Sequence, residues 1–219
     1  MLQPLILVPT ERERAFIQPA IEAAGGGRAR VELCGFGPIV AAARTAQLIA
    51  EHRPPRVLLV GIAGRLSERL AIGAAYAFER AACHGVGAGS GGAFTPAESL
   101  GWPQWPGDGL GSATRIGDLL PCSSGGDALP ERAGLLLSAC AASASEADVI
   151  ARLQLFPDAA AEDMEGFAVA AACRLAGLPL DIVRGISNTA GDRDHARWQI
   201  EAACRAAAAL AAAILGGRS

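Results

Sequence analysis

Short unbroken apolar runs alternate along this chain with longer stretches in which apolar residues recur every three or four positions. The runs over 5–8, 31–34, 56–60, 72–79, 134–140 and 180–186 have the length of strands with both faces covered. The periodic stretches predict helices over 10–24, 39–52, 145–156, 164–176 and 196–215. In the first helix Phe16, Ile17 and Ile21 share the inner face, and Gly25-Gly26-Gly27 stops it. Gly35-Phe36-Gly37-Pro38 turns into the second helix, and Gly61-Ile62-Ala63-Gly64 predicts a tight turn after the third strand. This alternation predicts an α/β fold of three layers, α/β/α, around a central mixed sheet, in one domain spanning 1–219. In open α/β sheets ligands bind beyond the carboxyl ends of the strands. Those ends are Pro9-Thr10, Gly61 to Gly64, the stretch from Cys140 onward, and Ser187-Asn188.

The segment 84–129 breaks the rhythm. It is rich in Gly, Pro and Ser, holds Trp102 and Trp105, and predicts long loops over the sheet with room for one strand.

Composition narrows the chemistry. With 51% hydrophobic residues in 219, the chain can bury a large core. It contains no lysine: all 19 basic residues are arginine. Schiff-base catalysis and a P-loop each need a lysine and are excluded. A net charge of −3 and the lack of a basic stripe argue against nucleic acid as a partner. The six cysteines and three histidines are scattered, and no two cysteines form a Cys-x-x-Cys pair. Neither a metal site nor a cofactor is expected, and the thiols read as small core residues in a reducing, cytoplasmic compartment. The apolar run over 5–8 is too short for a signal peptide, and that over 206–215 is too short to span a bilayer.

Four places carry candidate chemistry, each with a plainer alternative. Thr10 followed by Glu13 matches a capping box, so Glu13 serves either the helix start alone or a catalytic role as well, with Glu11 as the nearby competitor. Ala63 and Gly64 bring bare backbone to a strand end, or simply turn the chain. Glu165, after Met164, is an acid at the positive end of a helix, or a carboxylate accepting hydrogen bonds from two vicinal hydroxyls of a ribose. Asn188 satisfies its own turn, or faces a ligand with both a donor and an acceptor. Arg184, inside a strand, requires an acidic partner, for which Glu or Asp of the neighbouring helix is available.

Taken in order, Pro9-Thr10 with Glu13, Gly61-x-Ala63-Gly64, Met164-Glu165-Gly166, and Arg184-x-Ile186-Ser187-Asn188 with Gly191-Asp192-Arg193-Asp194 resemble the nucleoside phosphorylase/nucleosidase superfamily, and within it the futalosine hydrolases. The resemblance implies hydrolysis of a purine N-glycosidic bond, in menaquinone synthesis by the futalosine route. It makes Glu13 and Asn188 catalytic. Glu13 activates water, and Asn188 replaces the Asp found in adenine-releasing relatives, which favours hypoxanthine. Ala63, Gly64, Met164 and Glu165 become substrate-binding residues around the sugar and base. The partner it implies is a small-molecule nucleoside, bound by a homodimer or larger homo-oligomer. Leu59 and Ile62, where phosphorylases of the superfamily place anion-binding residues, favour water over phosphate, although Arg12 and Arg14 lie close by in sequence. An adenine-releasing nucleosidase and a purine nucleoside phosphorylase are the alternatives. Ala141-Ala142-Ser143-Ala144-Ser145 departs from the family's pattern and leaves the wall against the purine unassigned; Phe94, Trp102 and Trp105 are the aromatic residues that could meet the far end of the substrate.

Overall fold

The computed structural model describes residues 2–24, 29–109, 113–122 and 132–216. The expected helix stop at Gly25 to Gly27 and part of the 84–129 segment lie outside them. Among the described residues, ten strands and five α-helices follow in the order β1 (Leu5–Val8), α1 (Glu11–Ala23), β2 (Arg30–Leu33), α2 (Pro38–His52), β3 (Val57–Arg65), β4 (Ala75–His84), β5 (Gly87–Ala88), β6 (Thr95–Pro96), β7 (Leu119–Pro121), β8 (Arg132–Ala139), α3 (Glu146–Leu155), β9 (Ala159–Asp163), α4 (Gly166–Leu175), β10 (Leu180–Thr189) and α5 (Ile200–Gly216).

Eight strands form one mixed sheet in the order β10-β4-β8-β9-β3-β1-β2, with β7 added on β4. Strand β10 also pairs with β3, so β3, β10, β4, β8 and β9 close into a ring from which β1 and β2 extend. Alternation along β1 sends its side chains to two cores. Leu5 and Leu7 of β1 join Leu48 of α2 and Val169 of α4 on one face. Ile6 and Val8 join Ile17 and Ile21 of α1 and the alanines of α5 on the other. Helices therefore cover both faces, and the expected α/β architecture with a mixed sheet is present. The α5 helix is apolar through small residues, which lets it lie close on β10.

Three elements differ from the sequence reading. Gly61 to Gly64 is not a turn: β3 continues to Arg65, because β10 pairs along its whole length, from Leu180↔Val57 to Thr189↔Arg65. The fourth strand starts later and runs to His84, with partners on both sides. The stretch Ala159–Asp163 forms β9, held between β8 and β3. Its Ala-Ala-Ala-Glu-Asp sequence has poor strand propensity, and pairing decides it. Among the described residues of the loop region are two short strands, β5 and β6, paired with each other, and β7.

Candidate functional site

The ends of β1, β3, β8, β9 and β10 converge on a cleft of about 300 Å³. All six sequence-derived site residues line it: Glu13, Ala63, Gly64, Met164, Glu165 and Asn188. Thr10 caps α1 by accepting a hydrogen bond from Glu13 N–H at 3.2 Å. The carboxylate of Glu13 does not return it to the backbone of Thr10, as a full capping box would. Its Oε2 accepts from Thr10 Oγ1 at 2.6 Å, and its Oε1 accepts from Ile62 N–H at 3.0 Å. Glu13 is thus buried and fixed at two oxygens, with its head in the cleft. Gly61 permits this packing, since a Cβ there would lie 2.7 Å from Glu13 Oε1 and 2.2 Å from Arg184 Nη1. Glu11, in contrast, is exposed and paired with Arg14 at 2.8 Å, and neither lines the cleft.

Glu165 occupies the N-cap position of α4, not its first turn. Other groups cap this helix: Asp163 Oδ2 accepts from Gly166 N–H at 2.9 Å, and Ser138 Oγ accepts from Phe167 N–H at 2.8 Å. The Glu165 carboxylate is left to face the cleft, where Oε1 accepts from Gly37 N–H at 3.0 Å. Behind it lies Arg184, fully buried on β10, with Nε donating to Asp163 at 3.0 Å and Nη2 reaching Glu165 at 3.3 Å. The acidic partners expected for Arg184 are therefore at the end of β9 and the helix cap. Burial pushes the Glu165 carboxyl up to about 7; Arg184 pulls it down, and Asp163 opposes Arg184.

Asn188 sits at the end of β10 beside Gly64. Its Oδ1 accepts from Ser187 Oγ at 2.7 Å and its Nδ2 donates to Thr189 O at 2.8 Å. An amide has two donors and two acceptor lone pairs, so one of each stays open after these bonds.

The cleft also holds residues that sequence reasoning did not single out. Phe36, Trp198 and Ile200 line it, with Arg193 packed 5.2 Å over the Trp198 ring and His195 beside that ring. Glu162 and Ser143 form a further wall, and Arg152 of α3 pairs with Glu162 from behind. The one signal for Glu162 is its place two residues before Met164-Glu165, with Asp163 between, after three alanines. Phe94, Trp102 and Trp105 do not line the cleft: Phe94 is buried against His84, and Trp102 is 75% exposed elsewhere. Leu59 is in the core, while Ile62 and Arg12 do reach the cleft. Among the described residues no group of three or more His, Cys, Asp or Glu could hold a metal ion, and no helix is long and apolar enough to cross a membrane.

The family model of the Phosphorylase superfamily matches residues 4–216. The chain belongs to this superfamily. Futalosine hydrolase from Streptomyces coelicolor is 29% identical over 171 residues, covering 76% of this chain and 69% of that protein. The 5′-methylthioadenosine/S-adenosylhomocysteine nucleosidase of Chromohalobacter salexigens is 28% identical over 165 residues, covering 75% of this chain and 68% of that protein. Among solved structures, the Neisseria meningitidis nucleosidase in complex with methylthio-immucillin-A aligns with a TM-score of 0.76 at 20% identity, covering 99% of this chain and 100% of the other. Futalosine hydrolase of Helicobacter pylori strain 26695 aligns with a TM-score of 0.77 at 20% identity, covering 99% of each chain. The fold of this superfamily member is accordingly that of the nucleosidases. Its relatives are named as a hydrolase and as nucleosidases, in agreement with the expectation of an N-glycosyl hydrolase.

Proposed function

We propose that this protein hydrolyses the N-glycosidic bond of futalosine, releasing hypoxanthine and dehypoxanthine futalosine, in cytoplasmic menaquinone synthesis by the futalosine route. The observation that carries the reading is the meeting of Glu13, Glu165 and Asn188 in one cleft. Glu13 removes a proton from a water that attacks C1′ of the ribose. Glu165 accepts hydrogen bonds from the 2′- and 3′-hydroxyls, and Met164 packs on the sugar beside Ala63 and Gly64. As the C1′–N9 bond breaks, its electron pair passes to the purine, and the open donor of Asn188 stabilises the charge that develops there. The proton lost by water ends on the departing base. The test is direct: futalosine is incubated with the protein in phosphate-free buffer and free hypoxanthine is measured. Its absence would overturn the proposal.

Two alternatives have support of their own. The Chromohalobacter relative favours an adenine-releasing nucleosidase. Arg12 in the cleft favours a phosphorylase, which would require phosphate and yield a sugar phosphate. Asn188→Asp separates the first from futalosine hydrolysis. A carboxyl group can protonate a leaving adenine, so the ratio of kcat/KM for adenine to hypoxanthine nucleosides should rise by about tenfold or more, as expected for the gain and loss of one good hydrogen bond. An unchanged ratio would remove Asn188 from base recognition.

The raised Glu165 carboxyl gives a pH signature. Only its ionised form accepts from both hydroxyls, and protonation is favoured as pH falls through about 7. Substrate affinity should therefore weaken below that value, approaching a tenfold rise in KM per pH unit when no other group intervenes. Glu165→Gln should abolish this limb of the profile; a limb that survives belongs to another group.

A homo-oligomer is part of the proposal. Phe36, Ile39 and Val40 stand exposed together where α2 begins beside the cleft, an apolar surface that a second copy would cover. A monomer at micromolar concentration in light scattering would contradict it.

A further inference from the structure

Strands β9, β3 and β10 lie side by side where the cleft opens. Glu162 pairs with Gly64 on one side, and Asn188 pairs with Gly64 on the other. The three residues form one row, and Glu162 and Asn188 both line the cleft. Their Cα atoms are two strand spacings apart, about 10 Å. Gly64 puts no side chain between them; a Cβ there would lie 3.4 Å from Ala190 Cα and 3.5 Å from Asn188 Nδ2. A flat bicyclic base lying over Gly64 would meet Asn188 along one edge and the Glu162 wall along the opposite one.

The chemistry of that wall is one-sided. Glu162 Oε1 accepts from Ser143 N–H at 2.8 Å, and Oε2 accepts from Ser143 Oγ at 2.7 Å and from Arg152 Nη1. Arg152 Nη2 donates to Ala141 O at 2.6 Å. Both donors of Ser143 are thereby turned onto the carboxylate, and Arg152 stays behind it, outside the cleft lining. The lone pairs that remain belong to Glu162 Oε1 and Ser143 Oγ. The Glu162 and Ser143 groups of this wall can accept hydrogen bonds, and with both Ser143 donors turned onto the carboxylate they have none left to offer.

We propose that Glu162, with Ser143, determines base specificity by accepting a hydrogen bond from N1–H of a 6-oxopurine. An N1–H is present in hypoxanthine and absent in adenine, whose N1 carries a lone pair and would face acceptors without a proton between them. A buried charge left facing a lone pair is penalised, which makes the discrimination stronger than the loss of a neutral contact. The inference rests on the cleft being a purine site, as proposed above, and it assigns the second edge of the base, independent of Asn188. Arg152 acts as a positioning residue that holds the carboxylate and the Ala141-to-Ser143 segment together.

Free bases test it without catalysis. The unmodified protein is titrated calorimetrically with hypoxanthine, 1-methylhypoxanthine and adenine. Hypoxanthine should bind roughly 10- to 100-fold more tightly than either of the others, the range for a hydrogen bond to a charged group. Equal binding of hypoxanthine and its 1-methyl derivative would overturn the proposal. In Glu162→Gln the side-chain amide can turn a donor toward N1 of adenine, so the preference for hypoxanthine over adenine should shrink by about tenfold or more; an undiminished preference would also overturn it. If that variant does not fold, the titrations of the unmodified protein decide. A retained hypoxanthine preference without futalosine turnover would sink the proposed reaction and leave this inference standing. Turnover of futalosine without any base preference would do the reverse.

Discussion

Glu13→Gln is expected to lower kcat for nucleoside hydrolysis by about 10²- to 10⁴-fold, the usual loss when a positioned general base is removed. The substitution keeps the shape of the side chain. It also keeps an oxygen able to accept from Ile62 N–H, which holds Oε1 at 3.0 Å, and an amide that can still meet Thr10 Oγ1, now 2.6 Å from Oε2. What it removes is the capacity to take a proton from water. KM should therefore change little, and the loss should fall on kcat, the pattern of a group that acts in the transition state. Glu11→Gln is the matched control. Glu11 is two residues away in sequence, yet it is exposed, paired with Arg14 and outside the cleft, so its variant should keep near-full activity. If Glu13→Gln retained activity within about threefold of the unmodified protein, well short of general-base removal, the base would have to be sought elsewhere in the cleft.

The contrast between Glu11 and Glu13 also shows where sequence reasoning reached and where it stopped. Thr10 with Glu13 announced a helix start, and that half is local: the hydroxyl of Thr10 does cap Glu13 N–H. The destination of the Glu13 carboxylate is not local. It depends on Ile62, 49 positions away, whose backbone is presented by β3. The same division runs through the rest of the molecule. Apolar runs and helical periods located the main strands and all five α-helices, because hydrophobic burial is written at short range. Gly61 to Gly64 looked like a turn because glycine usually interrupts strands. It is strand because β10 pairs beside it and because Arg184 and Glu13 need the room that Gly61 leaves. Strand β9 was invisible for a related reason: three alanines and two acids acquire extended structure from β8 and β3, not from their own propensity. Its two acids then prove decisive. Asp163 caps α4 and holds Arg184, and Glu162 gathers Ser143 and Arg152. The wall of the cleft that the sequence left unassigned is built by contacts between residues 10 to 19 positions apart, across the loop after β8, helix α3 and strand β9.

Arg184→Met should cause the largest loss of stability of any single substitution in the site. Arg184 is completely buried, and its guanidinium lies among Asp163, Glu165 and Glu13. Removing one partner of a buried ion pair leaves the other charge unpaired, at a loss of about 3–5 kcal/mol. For a domain of this size that corresponds to a fall in Tm of roughly 6–20 °C. Methionine fills much of the stem volume, so the loss reports charge more than a cavity. A second substitution separates the two. In Asp163→Asn the amide can still accept from Gly166 N–H and meet Ser138 Oγ, which donates to Asp163 Oδ1 at 2.5 Å, and one of the carboxylates stranded by Arg184→Met is neutralised. The double variant should therefore recover about 0.5–3 kcal/mol relative to the sum of the single losses. Additive losses would mean that Arg184 acts by packing alone. The cluster bears on function through Glu165: Arg184 is the strongest of the groups that draw its carboxyl down against burial, ahead of the Gly37 N–H. Without Arg184 the carboxyl moves further above its ordinary value, and the weakening of substrate binding at low pH should begin at a higher pH than in the unmodified protein. A variant that is destabilised but keeps the original pH profile would separate the structural role of Arg184 from any role in tuning the sugar-binding carboxylate.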